Sequence, residues 1–347
     1  MAARDLVIGG VTVPAGRRMG VALPVAMLHT HVPVDMPVWV INGRRDGPRL
    51  FVSAALHGDE LNGIEIIRRL RGMSLLSGLR GTLLLVPVVN VFGLLQHSRY
   101  LPDRRDLNRS FPGSERGSLA ARLAHLFMTE IVARCTHGID LHTGAVHRHN
   151  LPQVRARLDD PATRALAMDF GAPVVIDARL RDGSLREAAA TRGIPTLIYE
   201  AGEALRFDET AIRIGVAGIV NVMRRLGMLR EGRGRRPAAE PVVASASYWV
   251  RAPESGILRS ATAPGRRVDR DQVLGTISDP FGERDIPVAA SQPGVVVGYN
   301  SLPLVNEGDA LFHVARVPRP GEAEAALEAM TGSVLDAETE EHGVIVR

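Results

Sequence analysis

The stretch Leu50 to Gly63, LFVSAALHGDELNG, constrains the fold of this chain more than any other. Leu50, Phe51 and Val52, followed by the small residues Ser53, Ala54 and Ala55, have the texture of a strand buried on both faces of an α/β sheet. The run stops abruptly at His57. Leu61, Ile64, Ile67 and Leu70 then recur at helical spacing, with Arg68, Arg69 and Arg71 left for the solvent side. A buried strand feeding directly into an amphipathic helix puts His57 and Glu60 in the turn at the strand's carboxyl end, where open α/β sheets bind their ligands. Gly58 is expected to let that turn bend tightly.

A histidine and a carboxylate three residues apart can reach one metal ion, but without a third ligand they are more readily two solvated loop residues. Gly138 to Gly144, GIDLHTG, is a second strand-like run ending in a histidine, about 80 residues after Glu60. His57, Glu60 and His142 on strand-end loops would make a catalytic zinc site, one ion per chain, with its fourth position open to water. Gly81 to Val89 and Ile194 to Tyr199 read as further buried strands, and the second delivers Glu200 to a strand end. A buried acid there needs a purpose, and activating water beside a metal is one. Glu203, one turn onward, reads as a structural or surface acid. Asp140, two residues before His142 and on the same side of its strand, could orient that imidazole or equally be a satisfied sheet-edge acid.

Composition narrows the class. With 347 residues, 45% apolar and 23% charged, the chain is globular and long enough for one large or two ordinary domains. No apolar run approaches the roughly 20 residues of a membrane span, and no charged start precedes one, so a soluble, cytoplasmic protein is expected. The single cysteine, Cys135, is placed on an apolar helix from Leu119 to Cys135, without a disulfide partner and with little support as a nucleophile. All 42 basic residues are arginine; they are spread along the chain, the net charge is only +4, and aromatics are 4%, which argues against a nucleic-acid surface. The densest run, Arg230 to Pro237, reads as an exposed linker.

Residues 1 to 48 alternate short apolar runs with Gly and Pro, as meandering strands do, and His29 and His31 there lack a carboxylate to complete a site. Between Asn90 and Gly113 lies a long loop containing Arg99, Arg104, Arg105, Asn108 and Arg109. Its aromatic and proline content argues against disorder, and loops of that length are commonly functional. An Asn-Arg pair can grip a carboxylate in a forked arrangement while a separate arginine polarises a carbonyl; Arg105 reads as surface. Ala162 to Gly171, Glu209 to Leu226 and the helix bearing His125 carry structure rather than chemistry.

HGDE at 57 to 60, DLNRSFPG at 106 to 113, DLHTG at 140 to 144 and YEAG at 199 to 202, in that order, resemble the succinylglutamate desuccinylase/aspartoacylase family over roughly residues 45 to 225. That family belongs to the zinc carboxypeptidase-like superfamily. The resemblance implies a mixed-sheet α/β catalytic domain with zinc held by His57, Glu60 and His142, Glu200 as general base and acid, and Asn108 and Arg109 on the substrate's carboxylate. It implies a carbonyl-polarising arginine before the DLNR motif; Arg99 ranks ahead of Arg104, because Arg99-Tyr100 resembles the aspartoacylase stretch. The loop His147 to Gln153 differs from that of aspartoacylases proper, leaving Arg148 and Asn150 as substrate-recognition candidates.

From Glu240 onward the texture changes to short β-rich runs punctuated by Gly and Pro, resembling the barrel-sandwich fold of lipoyl and biotinyl carrier domains. Carriers attach their cofactor to lysine. This chain has none, so the unit is expected to cap the site or to assemble a homo-oligomer. The expected division is a catalytic domain at 1–238, a β barrel-sandwich at 239–318 and a tail at 319–347 with a short helix or loosely held end. The leading expectation is a zinc-dependent amidohydrolase acting on a small-molecule N-acylated amino acid, with no nucleic-acid or membrane partner. The same constellation would serve a metallocarboxypeptidase for small peptides. A non-enzymatic metal- or ligand-binding module is the third reading, disfavoured by the intact set of site residues.

Overall fold

The structure is a computed structural model, and it describes residues 3–230 and 240–329. A hairpin of β1 (Leu6–Ile8) and β2 (Val11–Val13) opens the chain, and β3 (Arg18–Met27) and β4 (Pro33–Asn42) are the meandering strands expected before the core. β5 (Arg45–Ala54) contains the Leu50 run and leads through the His57 loop into α1 (Asn62–Gly72). β5 lies between two parallel neighbours, β6 (Arg80–Val86) and β7 (His137–Gly144). Leu50, Phe51, Val52, Ser53 and Ala54 are all 0% exposed, because helices cover both faces of an interior parallel strand and leave no side for polar residues. Side chains alternate along it: Leu50, Val52 and Ala54 join the core beneath α1, while Phe51 turns to the opposite core. There it meets Phe127 of α3 (Leu119–Glu130) edge to face at 5.8 Å.

α2 (Val91–Leu95) follows β6, and β7 is succeeded by β8 (Arg148–Ala156), α4 (Pro161–Phe170), β9 (Val174–Asp177), α5 (Leu185–Ala190), β10 (Thr196–Glu203) and α6 (Glu209–Arg225). The expected helix to Cys135 is shorter: α3 ends at Glu130, a 3-10 turn spans Val132–Arg134, and Cys135 is extended. The chain must straighten here because Thr136 N–H bonds to the Arg49 carbonyl at the start of β7's alignment with β5. Cys135 is buried, and burial pushes its thiol far up, which keeps it protonated.

The C-terminal strands are β11 (Val242–Ala244), β12 (Ala246–Arg251), β13 (Gly256–Ser260), β14 (Arg267–Val268), β15 (Val273–Ser278), β16 (Asp285–Ala289), β17 (Gly294–Asn300), β18 (Leu304–Val305) and β19 (Ala310–Arg316). The region is β-rich as expected, but it does not stand wholly apart. β17 pairs antiparallel with β8, and β11 pairs parallel with β9, so the main mixed sheet of 13 strands runs β12-β19-β17-β8-β10-β7-β5-β6-β4-β3 along its principal path. β13, β15, β16 and β18 form a second, four-stranded sheet. Leu258, Ile277 and Val288 of that sheet share one core with Val250, Val296 and Phe312 of the first. Residues 320–329 are helical, with Ala323 and Leu327 buried against Val295 and Ala315. Most of the Arg230 to Pro237 linker and the tail from Met330 lie outside the described residues. Among the described residues no helix is long and apolar enough to cross a membrane.

Candidate active site

The site forms where β5, β7 and β10 end side by side. Ala55 leaves β5 with a φ of 48°, which turns the chain into the His57 loop. Gly58 serves differently from the expected tight bend. A Cβ at Gly58 would lie 1.9 Å from the Gly93 carbonyl carbon and 2.1 Å from the Leu94 nitrogen, so only glycine lets the loop press against α2. α2 is itself fixed by Asn90, whose side-chain oxygen accepts from Gly93 N–H at 2.8 Å.

His57, Glu60 and His142 come together, and their ligand atoms lie within 4.8 Å of one another. Both imidazoles turn Nδ1 toward the Glu60 carboxylate, His57 to Oε1 and His142 to Oε2, each at 2.7 Å. Their Nε2 atoms face other acids: His57 meets Asp106 Oδ1 at 3.2 Å, and His142 meets Asp140 Oδ2 at 2.7 Å. Asp140 is held in turn by the Ser53 hydroxyl, which donates to Oδ1 at 2.7 Å. Each ring thus has its distal nitrogen oriented by a carboxylate and its proximal nitrogen aimed at the cluster centre, the arrangement of metal-binding histidines. Burial works against charge on Glu60, yet the two imidazoles hold its carboxyl far below the usual range. Burial would lower His142, but Asp140 and Glu60 raise it well above its ordinary value, and Glu60 and Asp106 raise His57 in the same way. Two imidazole nitrogens and a carboxylate converge on one point, and once a metal displaces the imidazole protons these three residues could hold it.

The segment from Asn90 to Gly113, expected as one long loop but holding α2 and a 3-10 turn at Leu107–Arg109, brings Arg99, Asn108 and Arg109 to the cavity that the cluster lines. Arg99 donates through Nε and Nη2 to Asp106 Oδ2 at 3.2 and 2.9 Å, and its Nη1 lies 3.6 Å from Glu60. Asn108 and Arg109 line the same cavity, and Asn108 is fixed because its Oδ1 accepts from Leu185 N–H at the start of α5. Arg104 is not brought there. It is exposed, with a φ of 60° at a turn closed by its N–H on the Leu101 carbonyl, and the turn carries its side chain off the cavity lining. His29 and His31 are likewise exposed and outside the cavity.

Glu200 stands opposite His142 in the parallel β10–β7 register. Immediately after it β10 slips register against both neighbours, with Gly202 at a φ of 74°, a bulge that re-aims the strand end. Glu200 Oε2 accepts from Asn150 Nδ2 at 2.9 Å and lies 3.2 Å from Arg155 Nη2, both on β8. Arg148 reaches the cavity too, with its guanidinium 5.4 Å from the Trp249 ring, which stacks on His313 at 4.6 Å. Glu203 is buried and structural: it accepts from His147 N–H at 3.2 Å and from the Ser301 hydroxyl at 3.0 Å. The cavity measures about 720 Å³, and Ser245, Ser247 and Trp249 supply one wall from the C-terminal strands.

Several of these residues escape a reading of the sequence. Asp106 lies inside a recognisable motif, yet nothing in its spacing shows that it bridges Arg99 and His57. Arg155 and the buried Arg186 carry no signal at all, because every cation in the chain is an arginine.

Comparison with known proteins identifies the family of the chain. The profile of the succinylglutamate desuccinylase/aspartoacylase catalytic domain matches residues 46–226. The N-alpha-acetyl-L-2,4-diaminobutyric acid deacetylase of Halomonas elongata is 28% identical over 297 residues, covering 82% of this chain and 86% of that protein. A succinylglutamate desuccinylase/aspartoacylase crystal structure from Rhodobacter sphaeroides superposes with a TM-score of 0.77 at 26% identity, over 86% of this chain and 96% of that one. The product-bound ectoine utilization protein of Ruegeria pomeroyi gives 0.78 at 23% identity, over 86% and 94%, a likeness of fold. With the matched segment holding His57, Glu60, His142 and Glu200 alike, the chain belongs to the succinylglutamate desuccinylase/aspartoacylase family.

Proposed function

We propose that this protein is a zinc-dependent amidohydrolase that removes an acyl group from a small N-acylated amino acid or related compound. The observation that carries the reading is the convergence of His57 Nδ1, His142 Nδ1 and the Glu60 carboxylate, which line one cavity together with Glu200. Two imidazole nitrogens and one carboxylate suit zinc, and the outer carboxylates Asp106 and Asp140 fix both rings in the ligating orientation. When bound, one zinc per chain supplies a Lewis acid that polarises the amide carbonyl and makes water a better nucleophile. Glu200 takes the proton from the attacking water and returns it to the departing amine nitrogen. Arg99 donates to the carbonyl oxygen as charge builds there. Asn108 and Arg109 hold a substrate carboxylate, so the amide sits in register with Glu200. Arg148, Arg179 and Arg181 on the cavity lining add to a field that favours anionic substrates.

The Halomonas elongata relative is named as a deacetylase of an N-acetylated amino acid, and this supports a deacylase. A cavity of about 720 Å³ walled by β12 also suits a small substrate better than the open groove a metallocarboxypeptidase would use. We assign residues 1–238 to catalysis and residues 239–318 to a barrel-sandwich unit that narrows the entrance. A panel of N-acetyl, N-succinyl and N-formyl amino acids, tested with zinc analysis of the purified protein, examines the reading. Glu200→Gln should keep its zinc and lose turnover by at least about a hundredfold. Zinc loss in that variant would make Glu200 a ligand, and full zinc in His57→Ala and His142→Ala would overturn the metal assignment.

A further inference from the structure

Glu200 is anchored asymmetrically. Both of its side-chain partners, Asn150 and Arg155, engage Oε2, and among the described residues nothing hydrogen-bonds Oε1. A free carboxylate can rotate and present either oxygen. One whose outer oxygen is gripped by an amide N–H and a guanidinium presents the other in a single direction, into the cavity that Glu200 lines. Asn150 is itself 6% exposed and held by its surroundings. It faces Gly298 of β17 in the antiparallel β17–β8 register, and a Cβ at Gly298 would lie 2.7 Å from Asn150 Oδ1. The bare backbone of Gly298 is therefore what leaves room for the Asn150 amide to turn its Nδ2 toward Glu200. The neighbouring register pair, His149 and Tyr299, pack with their rings tilted at 43° and 5.7 Å between ring centres.

We infer that Asn150 is a positioning residue for Glu200, and that β17 of the C-terminal unit acts on catalysis through the Gly298–Asn150 contact. The inference rests on Glu200 being the base of the proposed hydrolysis. It replaces the reading of Asn150 as a substrate contact and gives the C-terminal strands a role in aligning the site in addition to walling it. The alternative, that Asn150 only stabilises the sheet, makes different kinetic demands.

The test is a double-mutant cycle in the full-length, metal-loaded enzyme. Asn150→Asp keeps the shape but replaces the donor by a second carboxylate beside Glu200, and Gly298→Ala keeps the donor but fills its space. Each should lower kcat by about tenfold or more with KM nearly unchanged, as expected when a charge-assisted hydrogen bond to a catalytic group is lost and, in Asn150→Asp, a like charge takes its place. Zinc content and melting temperature of Asn150→Asp should stay near wild type. Because Asn150 acts through Glu200, adding Asn150→Asp to Glu200→Gln should cost little beyond Glu200→Gln alone. Additive losses, or an effect of Asn150→Asp on KM alone, would overturn the inference, the latter returning Asn150 to the substrate. If Gly298→Ala fails to fold, the Asn150→Asp cycle still decides. A Glu200→Gln enzyme with wild-type turnover would instead refute the underlying function.

Discussion

Replacing Asp106 by alanine should weaken the metal site without touching a ligand. Asp106 Oδ1 faces His57 Nε2 at 3.2 Å and accepts from Asn108 N–H at 2.8 Å, while Oδ2 holds Arg99 through donors at 3.2 and 2.9 Å. Burial opposes its charge, but His57 and Arg99 hold its carboxyl well below the usual range, so it is ionised wherever the enzyme would work. Alanine frees the His57 ring to rotate and leaves Arg99 without its anchor. Losing the outer partner of a ligating histidine typically costs about 10–100-fold in metal affinity, or about 1.4–2.8 kcal/mol. Turnover should fall further than metal loss explains, because the untethered Arg99 no longer points at the carbonyl. Asp106→Asn keeps an acceptor for Asn108 N–H and should lose less. Zinc affinity is read by competition with a chromophoric chelator, and kcat is then measured at saturating zinc. Affinities within about twofold of wild type in both variants would refute the claim that Asp106 orients His57.

Three other perturbations probe separate features. Gly58→Ala drives a Cβ into the α2 backbone and should destabilise the protein by about 1–3 kcal/mol while displacing His57 and Glu60, seen as a lower melting temperature together with reduced zinc content. An undiminished zinc content would mean that the loop tolerates the shift. Arg109→Ala should raise KM for a carboxylate-bearing substrate far more than for its neutral amide analogue, and equal effects on both would place the clamp elsewhere. Hydrogen bonding holds the Glu65 carboxyl down to about 2, through Arg68 first and then Arg69, and holds Glu209 down to about 2 through Arg69. Depressed carboxylates contribute stability above their unfolded value of about 4.5 and lose it as pH falls toward about 2. Arg69→Ala should therefore cost about 0.2–1 kcal/mol per pair near neutral pH, a cost that shrinks as pH falls through about 2 and is gone well below it, and a difference in melting temperature that does not shrink in acid would count against this network.

What was legible in the sequence was what depends on neighbours along the chain. The run Leu50 to Ala54 read as an interior strand, since no polar alternation remained for a wet face, and the helix after Glu60 followed from its own spacing. Those two elements fix His57 and Glu60 at a strand end, and the runs before His142 and Glu200 do the same for theirs. The order of strands in the sheet was not legible. A short β-run shows that it needs a partner but not which one, so the C-terminal strands looked like a separate unit until β17 was seen paired with β8. The same limit hid the outer partners of the site. Asp106 reaches His57 across 49 residues, Asn150 reaches Glu200 across 50, and Ser53 reaches Asp140 across 87, contacts that exist only because separate strand ends and loops are brought side by side. Arg99 ranked ahead of Arg104 in the sequence by resemblance alone, and the physical difference is the backbone turn at residue 104, which sends one outward and leaves the other near Glu60.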